Sequence, residues 1–248
     1  MNTVLITGCS SGFGLDTARY FLDRDWTVIA TMRSPRDDVL PASRRLRILP
    51  LDVTDADSIA RGVAAAGPID VLVNNAGVGQ VSPLEGVTMA KVRELFETNT
   101  LGTIAMTQAV LPQMREQGSG VVINVTSGVT FHPLPLMSIY TASKAAVNAF
   151  SESVALELAP FGVRVRIVIP GRAPETPFSE NVRSRMGLTI PEPYADMAAQ
   201  MLGRFSQSGG LLTYSRDVSE AVWRAATDPD CPMRLPAGAD AVARAAAT

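Results

Sequence analysis

Cysteine, histidine, surplus charge and long apolar runs are all scarce in this sequence. Two cysteines in 248 residues, Cys9 and Cys231, cannot make a disulfide framework. They are expected to be free thiols in a reducing compartment. The single histidine, His132, has no grouping of carboxylates or thiols around it, so no metal site is expected. With a net charge of -2 and a pI of about 5.5, the chain has no basic excess to neutralise a nucleic-acid backbone. The short run Arg44, Arg45 and Arg47 reads as a solvated surface loop. No apolar run approaches the length that spans a bilayer, and the first residues lack a basic stretch and a cleavage site. A cytoplasmic protein with no signal peptide, no membrane span and no nucleic-acid partner is therefore expected. Repeats and composition shifts are missing too, which favours one domain over 1–248.

What the sequence does have is alternation. Short runs rich in Val, Ile and Leu fall at 3–7, 26–31, 46–51, 69–74, 120–125 and 163–169. They show no polar alternation, as befits strands buried on both faces of a parallel sheet. Between them, 15–25, 55–66, 88–117 and 138–161 carry apolar residues at helical spacing. Such alternation implies right-handed crossovers and an α/β, doubly wound Rossmann domain with helices on both faces of the sheet. One connection breaks the rhythm: from 171 to 194 the chain is rich in Pro, Ser, Arg and Gly. Connections this long are usually functional or disordered, and a substrate lid over 171–215 is expected, a passive loop being the alternative. The Ala-rich tail after Ala237 is expected to fray.

The first strand ends in Thr7-Gly8-Cys9-Ser10-Ser11-Gly12-Phe13-Gly14, and a helix follows. Glycines let a backbone turn tightly and approach a ligand closely. A helix N-terminus there offers N–H groups and a positive dipole end to a phosphate. The alternative is a tight turn that binds nothing. The spacing, Gly-x-x-x-Gly-x-Gly, resembles that of the short-chain dehydrogenase/reductase family, and other segments are similar in the same order. Tyr140-Thr141-Ala142-Ser143-Lys144 resembles the family's Tyr-x-x-x-Lys, and Ser127 stands upstream at the family's serine interval. Asn99 matches its helix asparagine, Asn74-Asn75-Ala76-Gly77 its strand-four motif and Pro170-Gly171 its strand-six end. The wording around Gly8, around Arg33 and at 234–238 is most similar to the branch with 17β-hydroxysteroid and retinol dehydrogenases.

Tyrosine and lysine four apart on a helix share a face. An ammonium there is expected to lower the phenol's pKa toward the working pH, so that Tyr140 serves as general acid/base. Ser127 is expected to hydrogen-bond the substrate oxygen. The resemblance further implies a mostly parallel, seven-stranded sheet and a catalytic set of Asn99, Ser127, Tyr140 and Lys144, with Asn99 holding a water that relays protons from Lys144. It assigns cofactor contacts to Gly8, Ser10, Ser11, Gly12, Phe13, Gly14, Asp52, Val53, Asn75, Ala76, Gly77, Tyr140, Lys144, Pro170, Gly171, Ala173 and Thr176. Asp52 would meet the adenine amino group. Thr176 stands one residue later than the family's threonine, which changes the local contacts.

An NAD enzyme of this layout wants a carboxylate at the end of strand two. Met32 stands there and Arg33 follows. A guanidinium can grip a 2′-phosphate, so NADP(H) is the expected cofactor, with Arg33 its main phosphate ligand and Arg36 or Ser34 assisting; a solvated Arg33 is the alternative. The loop with Phe131, Leu134, Leu136 and Met137 is apolar, which suggests a lipophilic ketone or secondary alcohol as substrate. His132 either lines that pocket or faces solvent. Alternatives to a ketone reductase are a ketoacyl-carrier reductase, a catalytically silent NADP-binding regulator, and a methyltransferase, which would have no use for the Ser-Tyr-Lys-Asn set. By resemblance the chain is expected to form a homodimer or homotetramer.

Overall fold

The computed structural model describes residues 2–176, 190–206 and 210–247. Seven parallel strands form one sheet in the order β3-β2-β1-β4-β5-β6-β7. They are β1 (Thr3–Thr7), β2 (Thr27–Met32), β3 (Leu46–Pro50), β4 (Val71–Asn74), β5 (Gly120–Val125), β6 (Val163–Pro170) and β7 (Arg234–Ala237). The expected mostly parallel sheet is thus parallel throughout. The order reverses beside β1, so the carboxyl ends of β1 and β4 open a crevice at a topological switch point.

The helices are α1 (Gly12–Leu22), α2 (Ala56–Ala66), α3 (Met89–Phe96), α4 (Gly102–Gln117), α5 (Ser138–Leu158), α6 (Ala195–Ser206), α7 (Ser215–Thr227) and α8 (Ala239–Ala246). Strand residues alternate between two cores although nearly all are apolar. Val4, Ile6, Val73 and Ile123 face a core with Phe21, Trp26 and Val222. Leu5, Leu72 and Val122 face a second core with Met106, Val110 and Leu158. Burial on both faces is why the strands read as continuous apolar runs.

Three departures from the sequence reading have physical causes. The expected helix over 88–117 is interrupted by a π-turn at Glu97–Leu101. The apolar period continues through it, so periodicity does not reveal the extra residue; such bulges are frequent at functional sites. The tail does not fray: α8 runs through to Ala246 because Ala241 and Asp240 are buried against the body. Arg47 is not merely solvated, since its guanidinium donates to Ala65 O (2.6 Å) and Ala66 O (3.2 Å), carbonyls left over at the end of α2. Arg45 pairs with Asp25. Among the described residues no helix is long and apolar enough to cross a membrane, and no group of His, Cys, Asp or Glu could hold a metal.

Candidate active site

The glycine-rich turn is built by close approach. Gly12 has φ +58°, in the left-handed region that favours glycine. At Gly14 a Cβ would lie 2.4 Å from Gly8 O and 2.5 Å from Asn75 Nδ2, so α1 can pack here only without a side chain. Asn75 holds the turn from β4, its Nδ2 donating to Thr7 O (2.9 Å) and Gly8 O (3.3 Å). The Thr7 hydroxyl returns the contact, accepting from the backbone N–H of Asn75 and of Ala76, each at 3.0 Å. Ser11 caps α1 without a side-chain bond, and no carboxylate stands in its first turn. The first N–H groups of α1 therefore face the crevice uncapped and beside no negative charge. Cys9 sits beneath, fully buried, its thiol donating to Ile6 O at 3.3 Å and pushed up to about 12 by burial.

From this turn a cavity of about 630 Å³ runs to the start of α5. Its wall includes Gly8, Ser10, Ser11, Gly12 and Phe13 at one end and Ser127, Tyr140 and Lys144 at the other. Arg33, Asp52, Val53, Asn75, Ala76, Gly77, Pro170, Gly171, Ala173 and Thr176 complete the expected set on the same wall. Gly14 and Asn99 lie behind it. His132 is half-buried and not part of the wall. Arg36 is held by Asp38 in a surface ion pair (3.0 Å), so its guanidinium is already engaged, whereas Arg33 is exposed on the rim with no ion pair among the described residues. Thr176 is buried and its hydroxyl donates to Ala173 O at 2.9 Å. Asp52 turns one oxygen to the N–H (3.0 Å) and hydroxyl (2.8 Å) of Thr54.

At the inner end, the Tyr140 phenol and the Ser127 hydroxyl are hydrogen-bonded. Burial pushes the phenol up to about 12, with the Ser127 bond opposing. Burial pulls the Lys144 ammonium down to about 8, and its Nζ donates to Val125 O at 3.0 Å. The expected lowering of the phenol's pKa by Lys144 is therefore not found: burial dominates. Desolvation opposes the charged form of each partner and outweighs helical adjacency.

Asn99 sits in the π-turn, fully buried. Its Oδ1 accepts from Val78 N (2.8 Å), and its Nδ2 donates to Val78 O (2.9 Å) and Ser143 Oγ (3.1 Å). Ser143 Oγ in turn donates to Tyr140 O at 2.8 Å, tying the π-turn to the helix that carries Tyr140 and Lys144. The main-chain oxygen of Asn99 accepts from Thr103 Oγ1 at 2.9 Å.

Several wall residues were not legible as such. Glu94 and Glu97, Arg172, and Arg244 reach the cavity from three separate segments, and no local motif flags them. Val78 and Val129 join Leu134 and Met137 beside Tyr140, in a third apolar cluster to which α6 adds Ala198 and Met201. Part of the span read as a lid, 177–189 and 207–209, lies outside the described residues.

The family described as short chain dehydrogenase matches residues 2–187. The chain is 35% identical over 240 residues to the 3-ketodihydrosphingosine reductase of Bacteroides thetaiotaomicron, covering 95% of this chain and 87% of that one. It is 39% identical over 232 residues to estradiol 17-beta-dehydrogenase 1 of Rattus norvegicus, covering 88% of this chain but 65% of that longer protein. A solved serine dehydrogenase, in its closed form with NADP+, superposes with a TM-score of 0.82 at 31% identity, over 95% of this chain and 94% of that one.

Proposed function

Because the chain belongs to the short-chain dehydrogenase family and is an oxidoreductase of that family, we propose that it moves a hydride between NADP(H) and a ketone or secondary alcohol, with Tyr140 as general acid and base. The observation that carries this reading is the single cavity joining an uncapped helix N-terminus to Ser127, Tyr140 and Lys144. The residues present fit a dinucleotide. Gly12 turns the chain at φ +58° and Gly14 lets α1 pack against Gly8 O, which brings to the cavity the N–H groups of α1 that suit a pyrophosphate. Arg33 on the rim suits a 2′-phosphate, and Met32 gives a ribose diol nothing to bind. The NADP+ bound to the serine dehydrogenase relative supports the same choice.

When bound, the nicotinamide supplies or accepts the hydride. The rest falls to this chain. Tyr140 holds its proton at neutral pH, with its pKa pushed up to about 12, and is poised to donate it to a carbonyl oxygen. Ser127, already bonded to the phenol, orients it and offers a second hydroxyl to that oxygen. Lys144, one turn along the same face, carries the positive charge that balances a phenolate once the proton has left. Asn99 braces the loop at Val78 against α5, which supports the role expected for it in holding a relay water beside Lys144.

The substrate end is apolar, lined by Val78, Val129, Leu134 and Met137, which suits a lipophilic carbonyl. The names of the ketodihydrosphingosine and estradiol relatives point to the same class. The expected lid over 171–215 is kept in this reading, supported by the packing of Ala198 and Met201 from α6 onto the cluster that includes Tyr140. The expected homodimer or homotetramer through the long helices is kept in this reading on the likeness to the family. The test is fluorescence titration with NADPH and NADH, followed by a ketone panel with Tyr140→Phe as control. Tighter NADPH binding and a loss of about 10²–10⁴ in turnover in the variant are expected. An unchanged turnover refutes the role of Tyr140, and small charged ketones outperforming apolar ones refutes the substrate class.

A further inference from the structure

The wall of the cavity at Gly171 and Arg172 is fixed by residues distant in sequence. Asp240, in the first turn of α8, is buried. Its Oδ2 accepts from the backbone N–H of Arg172 at 2.7 Å, and its Oδ1 accepts from Thr213 Oγ1 at 2.6 Å. Thr213, fully buried, accepts in turn from the N–H of Gly171 (2.9 Å) through its hydroxyl. It also donates its own N–H to Arg172 O (2.9 Å). The fit leaves no slack: a Cβ on Gly171 would lie 2.1 Å from Asp240 Oδ1. Besides a longer bond from Gly171 N–H to Ala237 O (3.3 Å), the N–H of Gly171 and both polar groups of Arg172's main chain are thus claimed by Asp240 and Thr213, the Arg172 carbonyl through Thr213's own main-chain N–H. Asp240 and Thr213 both lie beyond residue 187, where the family match ends.

A surface loop needs no such anchoring, because water would satisfy its backbone. Here a buried carboxylate is committed to two peptide N–H groups, one directly and one through a hydroxyl. The segment so held is the one that continues to Ala173 and Thr176 along the cavity. We propose that Asp240, acting through Thr213 and the Arg172 N–H, is a positioning residue that sets the Gly171–Ala173 backbone against which the cofactor binds. The C-terminal helix is then a working part of the binding site and not a cap on the fold. That role presupposes the nicotinamide site proposed above.

The experiment is fluorescence titration of the full-length protein and its variants with NADPH, alongside thermal melting without cofactor. Asp240→Ala leaves the Arg172 N–H without its acceptor and should weaken NADPH binding about tenfold, the loss of one charge-assisted hydrogen bond. Asp240→Asn is the rescue. Its amide oxygen can keep the Arg172 N–H, and its NH₂ can face Thr213 Oγ1, whose proton turns to Ala237 O at 2.9 Å. Binding within about threefold of the parent is expected for it. A lowered melting point with unchanged affinity in Asp240→Ala overturns the proposal, as does equal weakening in both variants. Should Asp240→Ala fail to fold, Thr213→Val removes the hydroxyl that holds Gly171, and unchanged affinity there overturns it equally. A parent that binds neither NADPH nor NADH sinks the nicotinamide reading and this one with it; a parent that binds beside unaffected variants sinks this one alone.

Discussion

Replacing Lys144 with methionine should stabilise the cofactor-free protein at pH 7 while abolishing its turnover. The side chain is buried, and its ammonium donates to Val125 O at 3.0 Å with no carboxylate paired to it among the described residues. Burial lowers its pKa from 10.5 to about 8. The sign follows from linkage: between about 8 and 10.5 the unfolded chain binds the proton and the folded one does not, so stability rises with pH across that window. Below about 8 the full penalty applies. A shift of this size corresponds to about 3 kcal/mol. Methionine fills similar space without charge but leaves Val125 O unpaired, which costs about 1 to 2 kcal/mol. The net gain is about 1 to 2 kcal/mol, or about 2 to 8 °C in melting temperature for a chain of this size. Calorimetry of parent and variant from pH 6 to 10.5 reads it directly. The gap should be widest at pH 6–7 and should close, then invert, as the parent's lysine loses its proton. A variant that melts below the parent at pH 7, or an offset that does not change with pH, refutes the reasoning.

Other perturbations probe other parts of the cavity. Arg33→Ala should raise the Kd for NADPH about tenfold or more and leave that for NADH nearly unchanged, since a charge-assisted pair is worth about 1.5–3 kcal/mol; equal effects on both cofactors would falsify the 2′-phosphate assignment. Gly14→Ala forces a methyl into backbone at 2.4 Å and should cost about 1–3 kcal/mol of stability, with weaker binding of both cofactors, measurable by denaturant melts; a variant as stable as the parent shows that α1 can shift. Ser127→Ala should lower kcat about 10²- to 10³-fold with little change in cofactor Kd, and a loss seen in Kd instead would make it a binding residue.

The sheet was legible because strands covered on both faces are largely apolar, and six stand out as such runs despite Arg47 in β3 and Arg164 and Arg166 in β6. β7 escaped the pattern. Arg234-Leu235-Pro236-Ala237 is an edge strand with an exposed arginine and a proline, and its pairing to β6 rests on topology. The turn and the Tyr140/Lys144 pair were visible as spacing, since close approach needs glycine and a shared helix face needs four residues. Spacing carries no dielectric, however. That Tyr140 and Lys144 are each desolvated is decided by Val125, Ser127 and the packing around them, brought in by the fold. The same holds for the π-turn at Asn99, set by the grip on Val78 and Ser143. It holds for Asp240 as well, which meets Arg172 across 68 positions of sequence.

Cys9 occupies the floor of the turn proposed to receive the pyrophosphate, yet its thiol is sealed from solvent and held protonated, with a pKa near 12. Thiolate is the species that peroxides, disulfides and alkylating reagents attack. A protein built to pass electron pairs through a borrowed carrier thus keeps its own oxidisable atom at that spot out of reach. Loss of activity under oxidants should then trace to other residues, and Cys9 should become reactive only once the strand above it has come away.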